Sequence, residues 1–193
     1  MNESAPHSPL RDIVWESKCP FDLAVAYEDR ETRERALHLY DHLAQQLLDD
    51  YNFQGSWWKL DCLSQPTLLR QAVGAAAEAN MIVVSIRARP QLPPNLERWL
   101  AECLSRRLPS HGALVVFLGT DNKSHSDPAP ARTSLNRMAR AAHLEFFCNT
   151  FNLNARPPEF DASRLWAREK TVTPVLEDIL RTHPATPRWG INE

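Results

Sequence analysis

Short apolar runs and stripes of apolar residues at helical spacing take turns along this chain. The first run, Leu23-Ala24-Val25-Ala26-Tyr27 behind Phe21, is bounded by Asp22 and Glu28 and has the length of a buried strand. Ala36, Leu39, Tyr40, Leu43, Leu47 and Tyr51 then recur at steps of three and four. They predict a long amphipathic helix with Arg33, His38, His42 and Gln45 on its outer side. Residues 53–63 (FQGSWWKLDCL) read as a strand with aromatic weight. After it, Ser64 reads as a helix N-cap, with Pro66 tolerated in the first turn. That helix shows a small face of Ala72, Ala75, Ala76 and Ala79. Met81-Ile82-Val83-Val84-Ser85-Ile86 is apolar but for the small Ser85, as suits a strand covered on both faces. Pro90, Pro93 and Pro94 mark a loop, and Leu96, Trp99, Leu100, Cys103, Leu104 and Leu108 form the next helical stripe. A second buried strand follows in Ala113-Leu114-Val115-Val116-Phe117-Leu118, with Gly119 as its stop. Residues 121–131 form a loop by composition, Leu135, Met138, Ala139 and Ala142 mark a short helix, and residues 146–151 supply the last strand.

Five strands alternating with four helices imply an α/β fold, with parallel strands joined by right-handed crossovers. The expected architecture is a three-layer sandwich around a five-stranded parallel sheet in the flavodoxin-like order 2-1-3-4-5. Residues 1–20 are polar and proline-punctuated and read as a mobile arm able to dock through Ile13, Val14 and Trp15. The α/β domain is expected over 21–151. Residues 152–193 read as an extension, broken at Arg156-Pro157-Pro158, with a short helix over 174–181 and a proline-bearing tail.

Composition narrows the function. The 193 residues include 24 acids and 22 Lys or Arg, for a formal net charge of −2. A domain that neutralises phosphates along a strand carries a basic excess, so nucleic acid is not expected as a partner. No apolar run reaches the ~20 residues of a membrane helix. The first residues lack the basic start and apolar stretch of a secretory signal, which makes a cytoplasmic location the expectation. Cys19, Cys62, Cys103 and Cys148 lie far apart with no CxxC pair and read as reduced, half or fully buried thiols. Of five glycines, the closest pair, Gly112 and Gly119, is seven residues apart. Phosphate-cradling loops need glycines at close spacing, so a Walker loop and a GxGxxG fingerprint are both excluded.

In an open parallel sheet, ligands bind beyond the carboxyl ends of the strands, at the crevice where the winding reverses. In this order the crevice separates the first strand from the third. It would bring Tyr27, Glu28 and Asp29 opposite Ser85, Arg87 and Arg89, with Asp61, Thr120, Asp121, Asn149 and Thr150 at neighbouring strand ends. Glu28, Asp29, Ser85, Arg87, Thr120 and Asn149 are the candidate ligand-binding set. Arg87 is expected within pairing distance of Glu28 or Asp29, where it would compete with a metal. The simpler role of the two acids is to end a strand and favour the N-terminus of the next helix through its dipole.

The acidic pair after the first strand resembles that of response-regulator receiver domains, and this resemblance implies a Mg²⁺ site and phosphotransfer. The sequence departs from the pattern twice. Ser85 to Arg87 stand where the phospho-accepting Asp belongs, and Asn149 and Thr150 stand where a lysine closes the fifth strand. A second stretch, AYEDRETRERALHLYDHLAQQL together with LLRQAVGAAAEANMIVVSI, resembles the corresponding strands and helices of toll/interleukin-receptor-like (TIR) domains. Trp99 and Glu102 then look like part of the motif of their NAD-cleaving members. This implies Glu102 as a catalytic residue, although the spacing is one residue short and the Cys of that motif is absent.

Other candidates have plainer readings beside them. His38 and His42 have a metal-ligand spacing, but they fall on the outer helix face with no third ligand, so no metal site is expected. Arg87, Arg89, Arg98, Arg106 and Arg107 could hold a phosphate, or simply pair with surface acids. Trp57 and Trp58 must point to opposite faces of a strand, and one could meet a partner at the sheet edge. No GxSxG motif or Ser-His-Asp spacing is present. The expectation is therefore a non-catalytic regulatory or protein-interaction module with a degenerate receiver-like fold, a protein partner and no cofactor. A TIR-like hydrolase of NAD and a small-ligand-binding domain are the alternatives.

Overall fold

The computed structural model describes residues 18–47, 50–108, 112–121 and 127–153. Most of the expected N-terminal arm and the helix expected over 174–181 lie outside the described residues. The elements run β1 (Cys19–Tyr27), α1 (Arg30–Leu47), β2 (Tyr51–Lys59), a 3₁₀ turn (Leu60–Ser64), α2 (Pro66–Glu78), β3 (Met81–Arg87), α3 (Pro94–Arg106), β4 (Ala113–Thr120), α4 (Ala129–Ala141) and β5 (Glu145–Asn152). All four pairings are parallel, and the strand order is β2-β1-β3-β4-β5. One rung of the sheet passes through Trp57, Val25, Val83, Val115 and Phe147. The flavodoxin-like architecture expected from the sequence is the one observed.

Alternation along the strands splits the core into two layers. Ile82, Val84, Ile86, Leu114, Val116 and Leu118 face α2, α3 and α4, where they meet Leu69, Val73, Leu96, Trp99, Leu100 and Leu135. Leu23, Val25, Val83, Val115 and Phe117 face α1, whose buried contribution is Ala36, Leu39 and Leu43. Among the described elements, three helices lie on one face and one on the other.

Several boundaries differ from the sequence reading, each for a local reason. β2 ends at Lys59, and residues 60–64 form a 3₁₀ turn. At three residues per turn, Leu60 and Leu63 fall on one side, and both are buried. Ser64 is not the N-cap of α2. Its hydroxyl donates to the Asp61 carbonyl at 2.6 Å, and Gln65 precedes the helix. Tyr51 opens β2 instead of closing the α1 stripe, and Leu108 lies beyond α3, 80% exposed. Gly119 does not stop β4, which runs on to Thr120. A Cβ on residue 119 would lie 2.6 Å from Leu153 Cδ2 and 3.0 Å from Phe151 Cζ, so the glycine makes room for the side chains of Phe151 and Leu153. Among the described residues no helix is long and apolar enough to cross a membrane.

Candidate functional site

The crevice at the carboxyl ends of β1 and β3 is built by the turn from β1 into α1. Asp29 caps the helix: its Oδ1 accepts from the Thr32 N–H at 3.0 Å. Thr32 reciprocates, its Oγ1 accepting from the N–H groups of Asp29 at 2.9 Å and Glu28 at 3.1 Å. Thr32 is fully buried, so its half of the box is enclosed beneath the first turn of the helix, while Asp29 stays partly exposed. Of the main-chain donors that open the helix, those of Asp29 and Thr32 are thereby engaged by the turn itself.

The acids then meet the segment that leaves β3. Arg87 Nε donates to Asp29 Oδ2 at 2.5 Å, and an Arg87 Nη2 to Glu31 Oε2 contact at 3.3 Å extends the pairing. The Arg87 main-chain N–H donates to Glu28 Oε2 at 3.0 Å. Arg89 closes the set by pairing with Glu28 Oε1. Three carboxylates thus face two guanidiniums across the crevice. Burial works against ionisation of Asp29, yet the hydrogen bonds from Thr32 and Arg87 and the Arg87 charge outweigh it and hold the carboxyl below its ordinary value. The hydrogen bond to Asp29 raises the Arg87 value in turn.

The remaining candidates do not join this cluster. Ser85 shares a face of β3 with Val83, so it lies fully buried under α1, and its hydroxyl has no hydrogen-bond partner. Thr120 Oγ1 donates to the Phe151 carbonyl at 3.1 Å and tethers the end of β5. Asn149 sits within β5, three residues short of its end, opposite Phe117. Glu102 lies on α3 and accepts from Arg98 at 2.8 Å. It is eight residues past the start of that helix, or roughly 12 Å along its axis from the crevice end. Trp99 beside it is wholly buried in the α2–α4 layer. Trp57 and Trp58 do point to opposite faces, and both are half-buried: Trp57 meets the Tyr40 ring edge-on at 5.9 Å, while Trp58 packs on the other layer. Arg107 is no anion site either, since it donates to the carbonyls of Ala76 and Ala79. Among the described residues no group of His, Cys, Asp and Glu could hold a metal. Burial pushes the Cys103 thiol up to about 12, which makes it a poor nucleophile. Glu31 and Thr32 join the cluster without having been expected there. The Asp-x-x-Thr spacing at 29–32 is an N-cap signal that marks the second of them in the sequence.

This geometry sets the cost of losing Asp29. Asp29→Ala removes cap and ion pair together and should cost about 1–2 kcal/mol, whereas Asp29→Asn keeps the cap and should cost under ~1 kcal/mol, as the pair is partly exposed. The folded carboxyl titrates below the unfolded one, so the stabilisation it brings is present above the ordinary carboxylate range. It is lost as the pH falls through the depressed folded value. Urea unfolding between pH 2 and pH 6 checks this, because the Asn variant should lose that part of the slope. Ser85→Ala should raise stability by about 1 kcal/mol, because it removes a buried hydroxyl that nothing satisfies, read as a higher urea midpoint.

No family model matches this chain, and no curated protein matches it in sequence. Solved structures share its fold. A flavodoxin of Streptococcus pneumoniae TIGR4 aligns with a TM-score of 0.53 at 15% identity, covering 78% of this chain and 100% of its own. Rubredoxin oxygen:oxidoreductase of Desulfovibrio gigas gives 0.54 at 13%, over 85% of this chain and 38% of that one. The Flv1 flavodiiron core of Synechocystis gives 0.52 at 12%, over 84% and 37%. The chain spans well under half the length of the latter two. At these identities the likeness defines a flavodoxin-like fold and nothing finer.

Flavodoxins place FMN at the β1/β3 switch point, and a phosphate group binds most readily to free N–H groups at a helix start. The residues present here do not fit that group. The N–H groups of Glu28, Asp29 and Thr32 are already bonded within the turn, and the same turn carries the carboxylates of Glu28, Asp29 and Glu31, whose charge opposes a phosphate anion.

Proposed function

We propose that this chain is a non-catalytic regulatory or interaction module, a flavodoxin-like domain whose ligand crevice is closed by its own side chains. The observation that carries the reading is the network joining Glu28, Asp29 and Glu31 to Arg87 and Arg89 over a self-capped α1. In a receiver-like site the acidic pair must be free to bind a cation. Here a guanidinium already supplies the positive charge to each acid, and a metal would have to displace it. The partner is proposed to be a protein, met along the outer side of β2, the last strand on its edge of the sheet.

Three assays test this reading. Purified protein incubated with NAD should release no nicotinamide above the blank, acetyl phosphate with Mg²⁺ should leave no phosphoryl adduct, and FMN fluorescence should not be quenched. Nicotinamide release that Glu102→Gln abolishes would establish the hydrolase alternative instead, and a stable phosphoryl adduct would restore the receiver activity.

A further inference from the structure

The described helices cover the two faces of the sheet unequally. Five strands at ~4.8 Å spacing make a sheet roughly 20 Å across, and one helix is about 10 Å wide. α2, α3 and α4 together cover one face. On the other, α1 is the only described helix, and it closes the β2 side with Tyr40, whose ring meets Phe53 at 6.3 Å and Trp57 at 5.9 Å. Toward β4 and β5, α1 reaches the aromatic rings with Arg35, whose guanidinium lies 5.6 Å from the Phe117 ring and 5.2 Å from that of Phe151. Yet Ala113 and Val115 of β4 are 4% and 6% exposed, and Phe147 and Phe151 of β5 are half-buried on the same face.

The path of the chain points to what covers them. Leu153 does not continue away from the sheet. Its N–H donates to the Thr120 carbonyl at 2.8 Å, and its side chain lies over Gly119 on the α1 side. Leu153 is the last described residue, and its side chain lies on this face, so the undescribed part of the chain starts from the β5 edge of the poorly covered half. Residues 154–193 follow, and within them Val175, Leu176, Ile179 and Leu180 stand at helical spacing, with Glu177, Asp178 and Arg181 between and after them.

We propose that the segment after β5 folds back beside α1 and covers β4 and β5, with residues 174–181 as a helix that seats Val175, Leu176, Ile179 and Leu180 on Val115, Phe147 and Phe151. Apolar atoms on that helix would complete the third layer of the sandwich. This docking surface is thus internal to the chain, and it stands or falls independently of the functional reading.

Photo-crosslinking of the full chain tests the proposal. Benzoylphenylalanine is placed at Phe147 and, in a second protein, at Glu145, an exposed position on the same side of β5 that does not disturb the core. Irradiation followed by peptide mass spectrometry should attach either probe to residues 154–193. Leu176→Asp combined with Ile179→Asp should lower that yield about fivefold or more. Leu108→Asp, at an exposed site, should leave it unchanged. Attachment to residues 1–17, attachment to a second copy of the chain, no attachment at all, or a yield indifferent to the double substitution would each overturn the proposal.

Discussion

Replacing Trp99 with alanine is expected to cost about 3–5 kcal/mol of stability, more than the loss of any other side chain in the domain should. The indole is fully buried where α3 meets α2 and the 3₁₀ turn, with Leu96, Leu100 and Cys103 equally enclosed around it. Alanine would leave a ring-sized void that close-packed neighbours fill only in part. For a domain of this size the melting temperature should fall by roughly 6–20 °C. Trp99→Phe should behave differently. The indole N–H is buried with no partner, so phenylalanine removes an unsatisfied donor while it keeps most of the volume. Its cost should stay under ~1.5 kcal/mol. Urea unfolding of the two variants separates the cases. A Trp99→Ala protein as stable as the parent would mean that this ring belongs to a site near Glu102, as the TIR resemblance implies, and not to the core.

The same residue shows what a sequence can and cannot display. Trp99 falls in an apolar stripe with Leu96, Leu100 and Cys103, and that spacing alone places it inside. β3 and β4 are equally legible, because strands buried on both faces are apolar nearly throughout, with Ser85 the one polar side chain inside β3. The order of the strands then brings the ends of β1 and β3 together, so the meeting of Arg87 with Glu28 and Asp29 can be anticipated. Ser85 can be placed at the crevice only by its number. One step of alternation turns it under α1, and the sequence does not mark which face of β3 that helix covers. The end of β2 is ambiguous for a related reason. Leu60 and Leu63 suit the end of an apolar strand and also the repeat of a 3₁₀ turn, and only the tertiary contact with α2 and α3 decides between them. Arg35 carries no sequence mark of its burial at all, since its place beside Phe117 and Phe151 depends on strands formed far along the chain.

Arg107→Ala should cost about 2–3 kcal/mol, for reasons that lie in the end of a different helix. α2 stops at Glu78, and its last carbonyls have no partner within the helix. Arg107 reaches back from the end of α3 and donates from Nη1 to the Ala79 carbonyl at 2.5 Å and the Ala76 carbonyl at 3.2 Å. A cation at this position also meets the negative end of the helix dipole. Burial lowers the guanidinium's pKa, so the charge is held in a partly dry place where its loss strands two acceptors. Arg107→Lys should recover little, because a single ammonium cannot reproduce the planar fork. Gly112 supplies the room: a Cβ there would strike Arg107 Nη2 and would also lie 3.1 Å from the Asn80 carbonyl oxygen and from Leu144 Cδ2. Gly112→Ala should therefore be destabilising in the parent and much less so in an Arg107→Ala background. A double-mutant cycle by urea denaturation should return a coupling of about 1 kcal/mol or more, since the two substitutions disturb one contact. Simple additivity, with each variant costing under ~0.5 kcal/mol, would show that the α2 carbonyls are satisfied without the guanidinium.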